Sequence, residues 1–432
     1  MLPGKSQTVY AMKFVFQLGR RTDGFSSATA SWVRAIVLII LLIGTADRTS
    51  AAANHNLALN YTAVVPGLDY ATLQTSNWNT GEPWSIHIAR LDRTHKELRL
   101  AENLAHNEIF GVAPVSAIAG SFPRSRGEPL VAINAGFCIR TPNPYIGAPR
   151  GIGKDAHAAM VIVDGEVVGA PSKFSFWVNE DRSMHFGDIK SSFNAKLPGG
   201  EKVAIGLNRE CFAGDIVLFT HMLGKQTRAT NHLELVLESA EHSTLSWRVG
   251  ETRIMQVKAI NPAGNSGLSN TVCVLSFSQQ AAAKASAIRV GDTIQVDLST
   301  SPSLRNVVTA CHGIFPVVSE GQPLEKFDAG AVIQHRNPRT AIGFNDRYFF
   351  MVVVDGRQKQ LSTGMNSREL AEFMAVLGCR EAMNLDGGGS STFWKQGKIC
   401  NSIPGGRERT RADSLMIVRE PASPILGKRA AK

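Results

Sequence analysis

Residues 382–392 read AMNLDGGGSST, an apolar lead-in followed by one carboxylate, three glycines and three hydroxyl-bearing residues. Glycine tolerates positive φ angles and lets the backbone approach a ligand closely. Successive backbone N–H groups in such a turn can bind an anion, and serine and threonine add hydroxyl donors. The pattern therefore indicates a carboxylate, Asp386, working beside a loop that suits a phosphate or a sugar.

A purely structural interpretation of these residues stays open, because a strand end, a glycine turn and a hydroxyl-rich cap would have the same sequence. The loop is not a Walker A nucleotide site. The Gly-Lys-Ser/Thr ending of that motif, with its phosphate-binding lysine, is missing.

The segments before the motif predict a strand, a helix and a second strand. Residues 348–354 form an apolar run closed by Asp355-Gly356, which is typical of a strand buried on both faces. Residues 367–378 carry apolar side chains at helical spacing, with Ser367 suited to the start and Gly378 to the end. If the flanking strands are parallel neighbours, Asp355 and Asp386 emerge at one sheet edge, where ligands bind in open α/β sheets.

Elsewhere the chain alternates short strand patterns with turns. Residues 85–91 alternate as a half-buried strand does, and residues 160–168 have the pattern of a hairpin around Asp164-Gly165. We therefore predict an α+β fold with many short strands in mixed sheets, few helices, and a strand–helix–strand unit near the C-terminus.

The N-terminus has the layout of a secretory signal peptide with a long n-region. Basic residues between Lys5 and Arg34 precede an apolar run over residues 35–44, and small residues follow it. The run is far shorter than the ~20 residues of a membrane-spanning helix. An uncleaved anchor over residues 32–44 is the alternative. We expect a secreted or periplasmic protein without a stable membrane span beyond the signal.

The expected organisation has four parts. These are a signal peptide (1–53), a polar and irregular leader arm (54–84), one main domain (85–420) and a basic tail (421–432).

The composition favours a globular protein that binds an anion. Hydrophobic residues make up 44% of the chain and charged residues 19%, which is enough apolar material for a core. The net charge is +10, but no basic run is interleaved with aromatic residues, so we expect no nucleic-acid partner. An anionic glycan or a phosphate ester fits this charge better, with general solubility as the plain alternative.

The six cysteines all follow the predicted signal, which would allow up to three disulfides in an exported protein. Their spacing does not match a zinc site. Some of them can equally be small buried hydrophobic residues. Cys138 and Cys311 each lie beside a candidate site segment, so we favour them as a pair.

Further segments along the chain accompany this motif. Together they resemble the phosphodiester glycosidase family over roughly residues 85–420. In the C-terminal half the resembling segments are HRNPRTAIG (335–343), VVDGR (353–357), STGM (362–365) and NLDGGGSST (384–392). Earlier segments are INAGF (133–137), GLNR (206–209), DIVLFT (215–220), VLS (274–276) and VGD (290–292).

The resemblance implies hydrolysis of a sugar 1-phosphodiester, which requires a carboxylate that attacks the anomeric carbon or activates water. Asp386 is the first candidate and Asp355 the second, although Asp355-Gly356 alone is typical of a tight turn. His335 is a candidate proton donor to the leaving group, with a structural hydrogen-bonding role as the alternative.

The departing phosphate needs cationic and N–H donors, and arginine binds it bidentately. The resemblance favours Arg339, with Arg357 and Arg336 as further candidates that could instead be solvated surface residues. It also assigns sugar contacts to Asn134, whose alternative is a bond to its own turn. The complete substrate-binding set is Asn134, Gly136, Arg339, Arg357, Gly387, Gly388, Gly389, Ser390, Ser391 and Thr392.

The leading hypothesis is an exported hydrolase that cleaves the glycosidic bond of an N-acetylglucosamine-like or exopolysaccharide-derived sugar 1-phosphodiester, releasing sugar and a phosphomonoester. The first alternative is a non-catalytic module that binds an anionic exopolysaccharide. A phosphodiesterase that cuts the other P–O bond is the second. No organic cofactor and no metal ligand set are expected, although a calcium or magnesium ion near Asp386 or Asp355 remains compatible with the sequence.

Overall fold

The computed structural model describes residues 57–139, 147, 159–169, 174–239, 241, 243–327 and 334–421. The predicted signal segment and, apart from residue 421, the basic tail lie outside these residues.

The described residues form 26 strands and two α-helices. Strands β1 to β13 are Thr62–Val65, Leu68–Ser76, Pro83–Asp92, Leu98–Leu104, Glu128–Asn134, Val161–Val163, Glu166–Gly169, Phe174–Asn179, Met184–Asp188, Lys190–Lys196, Lys202–Ala204, Gly206–Leu207 and Ile216–Phe219. Strands β14 to β26 are Leu233–Ser239, Thr252–Asn261, Val272–Phe277, Thr293–Ser301, Val307–His312, Phe315–Ser319, Gln322–Pro323, Arg339–Phe344, Tyr348–Val354, Glu381–Asn384, Phe393–Lys395, Lys398–Ile399 and Asp413–Arg419. The helices are α1 (Val115–Gly120) and α2 (Ser367–Val376).

The fold is mainly β, so the predicted α+β class is wrong. The core forms mostly between sheets, and the two helices are only 6 and 10 residues long. Among the described residues, neither helix has the length and apolar character to cross a bilayer. The expected short strands are present, and the predicted hairpin is formed by β6 and β7 around Asp164 and Gly165, both with positive φ.

The expected strand–helix–strand unit is also wrong. In the first sheet the strand order is β1-β2-β3-β22-β21-β23-β19-β20, so β21 lies between the two strands that flank α2 in sequence. Strand β21 is antiparallel to both β22 and β23. An apolar run identifies a buried strand, but it carries no information on which strand becomes its neighbour.

Both faces of this first sheet are buried, as the apolar run in β22 predicts. Met351 and Val353 face a core shared with a second sheet of order β25-β24-β5-β26-β4. Val352 and Val354 face the opposite way, into a core that contains Leu370 and Phe373 of α2. The first sheet is therefore the middle layer between a second sheet and a helix.

Helix α2 begins at Ser367, the first residue of the predicted run, but its N-cap is Asn366 rather than Ser367. The Asn366 side chain accepts a hydrogen bond from the Glu369 amide, and the Glu369 carboxylate accepts one from the Asn366 amide. This reciprocal pair is a capping box. Gly378 has a φ of 91°, which suits the chain reversal after the helix.

The remaining strands form two further sheets, with orders β11-β10-β17-β15-β14-β16-β13-β12 and β7-β6-β18-β8-β9. The two sheets contribute to one apolar core, which includes Leu218, Leu275 and Val296 of the first and Ile162 and Trp177 of the second.

The segment expected to be an irregular leader arm contains ordered strands. Strand β1 pairs with β2, and β2 pairs with β3 along its whole length from Leu68↔Leu91 to Ser76↔Pro83. The expectation of an irregular backbone is wrong for these residues, because their polar side chains lie on β1 and β2, two edge strands that are themselves only partly buried.

All six cysteines are free thiols in the structure, so the favoured Cys138–Cys311 pair is not formed. Five of them are buried, and burial raises the pKa of Cys138, Cys311 and Cys379. They pack as small hydrophobic residues, which was the alternative interpretation.

Candidate active site

The two candidate carboxylates lie at one edge of the first sheet. Strand β22 ends at Val354 and β23 ends at Asn384, and both run antiparallel to β21, which begins at Arg339. Asp355 and Asp386 therefore leave the sheet at the same edge, although their strands are not neighbours. The two carboxylates thus emerge at one sheet edge, as predicted. They do so because β22 and β23 are both antiparallel to the intervening β21, and not because the two strands are neighbours.

Asp386 is almost fully buried, with 5% of its surface exposed. Its Oδ2 lies 2.6 Å from Nη2 of Arg411, which is 0% exposed. Burial raises the pKa of Asp386, while Arg411, Ser390 and the Gly387 amide act in the opposite direction. A buried carboxylate beside a single buried cation is an arrangement that tunes ionisation.

Two of the three glycines make room for guanidinium groups. Gly388 has a φ of 64°, and a Cβ atom there would lie 3.0 Å from Nη2 of Arg357. At Gly389 a Cβ atom would lie 2.5 Å from Nη2 of Arg409. Larger residues would therefore displace an arginine on either side of the loop.

These arginines reach the loop from two directions. The exposed Arg357 donates from Nε and Nη2 to Oδ1 of Asn337, at 3.0 and 2.9 Å. Arg409 donates to Oγ of Ser390 at 3.4 Å. The buried Arg411 donates to the same hydroxyl at 3.0 Å and to the Gly136 carbonyl at 2.9 Å. Positive charge thus surrounds the glycine-rich loop and its hydroxyl groups.

Asp355 has a different environment, because both of its oxygens already accept hydrogen bonds. Oδ2 accepts from Ser85 at 2.7 Å and lies 3.2 Å from Nε2 of His87. Oδ1 accepts from the Ser402 amide at 2.8 Å and more weakly from Asn401 at 3.4 Å. The other ring nitrogen of His87 lies 2.7 Å from the Tyr70 hydroxyl. These bonds hold Asp355 as a fixed acceptor.

Asn134 joins the two sheets at the site. Its Nδ2 donates to the Asp386 carbonyl at 2.6 Å. Its Oδ1 accepts from the Thr340 hydroxyl at 2.8 Å and from the Thr392 amide at 3.1 Å. The residue is fully buried, so these contacts make it a support for the Asp386 loop.

The other predicted residues divide into two groups. Gly136 contacts Arg411 through its carbonyl, and Ser391 and Thr392 are buried in the loop, so both segments belong to the site. Arg339 is buried and donates to the Met365 and His335 carbonyls, and burial lowers its pKa to about 10. These two contacts make Arg339 a support for the backbone at His335 and Met365.

His335 and Arg336 lie differently from the expected arrangement. The His335 side chain is exposed, and its carbonyl accepts from Arg339 and Asn337. Arg336 forms ion pairs with Glu369 and Glu82, on the side of the N-cap of α2. The Arg336 guanidinium therefore binds carboxylates near the start of helix α2.

Sequence analysis missed Arg409, Arg411, Asp413 and His87. The first three lie in the segment RERTRAD, residues 407–413, where basic and acidic residues precede a buried strand. This pattern could have been used to predict charged site residues next to that strand. Nothing in the sequence links His87 to Asp355, because they lie 268 positions apart.

Within the described residues, His, Cys, Asp and Glu side chains form no group of three or more that could hold a metal ion.

Comparison with known proteins identifies a family over part of the chain. Residues 249–418 match the family model described as phosphodiester glycosidase. A SPbeta prophage-derived uncharacterized protein of Bacillus subtilis strain 168, YomE, is 32% identical over 125 residues. That alignment spans 29% of this chain but only 19% of the relative.

Solved structures share the fold at low sequence identity. A hypothetical protein from Synechocystis superposes with a TM-score of 0.65 at 18% identity, covering 84% of this chain and 64% of the other. A Burkholderia pseudomallei K96243 protein, provisionally described as exported, gives a TM-score of 0.58 at 21% identity over 78% of this chain and 74% of the other.

The catalytic domain of zebrafish N-acetylglucosamine-1-phosphodiester alpha-N-acetylglucosaminidase superposes with a TM-score of 0.42 at 15% identity. The superposition covers 84% of this chain and 88% of the other. Its TM-score is too low to carry an argument on fold. The matched segment contains Asp355, Asp386, Arg409 and Arg411. The predicted resemblance is thus confirmed for residues 249–418, which match the phosphodiester glycosidase family model.

Proposed function

We propose that this protein is an exported glycosidase that cleaves the glycosidic bond of a sugar 1-phosphodiester, releasing free sugar and a phosphomonoester. The sugar is N-acetylglucosamine-like or derived from an exopolysaccharide. One observation carries the proposal, namely the buried Asp386 carboxylate beside a glycine-rich loop that arginines flank on two sides.

The phosphate binds to Arg357 and Arg409 in this mechanism. Both head groups lie against the loop, and Arg357 donates to Asn337 through Nε and Nη2. A phosphomonoester leaving group is already a weak base, so it needs charge stabilisation more than a proton. Arginine supplies that charge at any physiological pH.

Asp386 acts at the anomeric carbon, either as the nucleophile or as the base that activates water. Both roles require the ionised form. Arg411, at 2.6 Å, favours that form against the opposing effect of burial. Arg411 also donates to Ser390, and it thereby ties the carboxylate to the glycine-rich loop.

Asp355 and His335 keep secondary roles in the proposal. With both oxygens occupied, Asp355 orders the 401–402 segment and His87. The exposed His335 is the remaining candidate for proton donation to the leaving phosphate. The reaction needs no organic cofactor. The signal-like N-terminus supports export.

The test incubates purified protein with an N-acetylglucosamine 1-phosphodiester and identifies the products by mass spectrometry. Free sugar from wild type and from Asp346→Asn, but not from Asp386→Asn, supports the proposal. The Asp346 side chain is 93% exposed, which makes this variant a matched surface control. Sugar 1-phosphate as product would identify a phosphodiesterase instead. Binding without turnover would favour the exopolysaccharide-binding alternative.

A further inference from the structure

Two carboxyl groups are buried in the sheet-on-sheet core behind the candidate site. Glu102 of β4 and Asp413 of β26 are both 0% exposed. Asp413 pairs with Leu104 and Leu415 pairs with Glu102, so the two carboxyls lie diagonally across neighbouring antiparallel strands on one face. Within the described residues, none of their four oxygens has a hydrogen-bond partner.

The surroundings of this pair are apolar. The core on this face contains Ile133, Leu415 and Cys311, all fully buried. An unpaired charge in such surroundings is expensive, so a buried acid commonly keeps its proton instead. Unpartnered buried polar groups also mark places where stability is given up for function.

Arg411 is a buried cation whose charge lowers the pKa of both Asp386 and Asp413, although it contacts only Asp386. Its Nη2 lies 2.6 Å from Asp386, and it precedes Asp413 by two positions on the same stretch of chain. Glu102 has a more distant cation, Arg126, whose Nη2 donates to the Glu102 backbone carbonyl. A single arginine can balance one carboxylate, and the geometry assigns that carboxylate to Asp386.

The ionisation of each group follows from these contacts. Burial raises the pKa of Asp413 to about 7, with Arg411 lowering it and Asp386 raising it further. Burial and Asp413 hold the pKa of Glu102 well above its usual range, against Arg126. The thiols of Cys138 and Cys311 also face this cluster, and burial raises the pKa of both. Among the carboxyls of this cluster, burial thus brings the pKa of Asp413 near neutral pH.

We propose that Asp413 is a positioning residue that controls the charge on Asp386 through their shared partner Arg411. When Asp413 carries its proton, the positive charge of Arg411 is directed to Asp386. When Asp413 ionises, a second anion competes for the same guanidinium, and the proton released passes to solvent. The effect on turnover rests on the proposed function, but the protonation of Asp413 does not.

Infrared spectroscopy tests the protonation without any substrate. The carbonyl stretch of protonated carboxylic acids is recorded on the purified protein across pH 5 to 9. Wild type is expected to lose part of this band near neutral pH as Asp413 and Glu166 ionise, because burial raises the pKa of both to about 7, and Asp413→Asn is expected to keep only the Glu166 part of the change. Glu102→Gln is the matched variant, because an amide replaces a neutral acid there and Asp413 should still titrate. A band change in Asp413→Asn that is as large as that in wild type, or no change in wild type, overturns the proposal.

The pH dependence of turnover tests the positioning role, which a merely structural residue would not affect. Wild type and Glu102→Gln are expected to show a transition in kcat near neutral pH, and Asp413→Asn is expected to lose it. A transition that persists in Asp413→Asn, or disappears in both variants, overturns the proposal. If wild type releases no sugar at all, the proposed function fails while the infrared result still decides the protonation of Asp413.

Discussion

Asp355 and Asp386 follow two strands that end at the same sheet edge, yet their environments are opposite. Asp355 accepts bonds from Ser85, Ser402 and Asn401, and His87 lies beside it. Asp386 faces one buried arginine and the glycine-rich loop. Position on a sheet therefore does not assign a catalytic role. The groups that surround each carboxylate, a buried arginine and the glycine-rich loop for Asp386, distinguish the two more directly.

The largest expected effect is on turnover at Asp386. Asp386→Asn removes the charge at the reacting centre, so kcat should fall by about 10³-fold, within the usual range for such groups. Steady-state kinetics on the sugar phosphodiester measures this. Circular dichroism should show an intact fold, because Arg411 keeps its bonds to Ser390 and Gly136. A fall in kcat of less than tenfold would mean that Asp386 is not the catalytic aspartate and would remove the functional difference between Asp386 and Asp355.

The next effect concerns stability as a function of pH. A folded-state pKa of about 7 for Asp413, above its ordinary value, means that the native state binds more protons than the unfolded state between those values. Stability from this group is thus present at about pH 4 and is lost as pH rises toward 8, by an amount on the order of a few kcal/mol.

Urea unfolding at pH 5 and pH 8 checks this. Asp413→Asn should flatten the difference between the two pH values, and the exposed Asp346→Asn should leave it unchanged. A steeper dependence in Asp413→Asn would contradict the sign.

Asp355→Asn should act mainly on stability. The amide cannot accept on both sides of the carboxyl, so it leaves a donor of Ser85 or Ser402 unpaired in the interior, at about 2 kcal/mol. Chemical unfolding measures the loss. Asp69→Asn, which breaks only a part-exposed pair with Arg90, should cost less than about 1 kcal/mol. A loss of turnover at Asp355→Asn as large as that at Asp386→Asn, with stability unchanged, would make Asp355 the catalytic group.

The smallest effect separates two neighbouring arginines. Arg357→Gln should raise KM about tenfold, because a charged hydrogen bond to phosphate contributes roughly 1.5–3 kcal/mol. Arg336→Gln should leave KM unchanged and lower stability by up to about 1 kcal/mol, since Arg336 pairs with Glu369 at the cap of α2. Initial-rate kinetics and thermal unfolding of both variants give the comparison, and equal effects on KM would remove the distinction.

Local sequence patterns predicted several strands, a helix and a hairpin correctly. The buried run at 348–354, the helix beginning at Ser367 and the Asp164-Gly165 hairpin all exist, because periodicity and turn chemistry act over a few residues. Asp386 and its glycine-rich loop were recognisable for the same reason. The fold class was wrong because the sheets are completed by pairings between strands that are far apart in sequence, such as β3 with β22.

By itself, the sequence determined the family segment, the loop that can approach an anion, and the positive charge available to it. Only the tertiary structure decided which groups use them. It inserted β21 between two expected neighbours, brought His87 to Asp355 across 268 positions, and turned Arg336 and Arg339 toward backbone and helix-cap contacts. The physical reason is that charge and hydrogen-bond capacity belong to residues, whereas burial and partners arise only when distant strands pack.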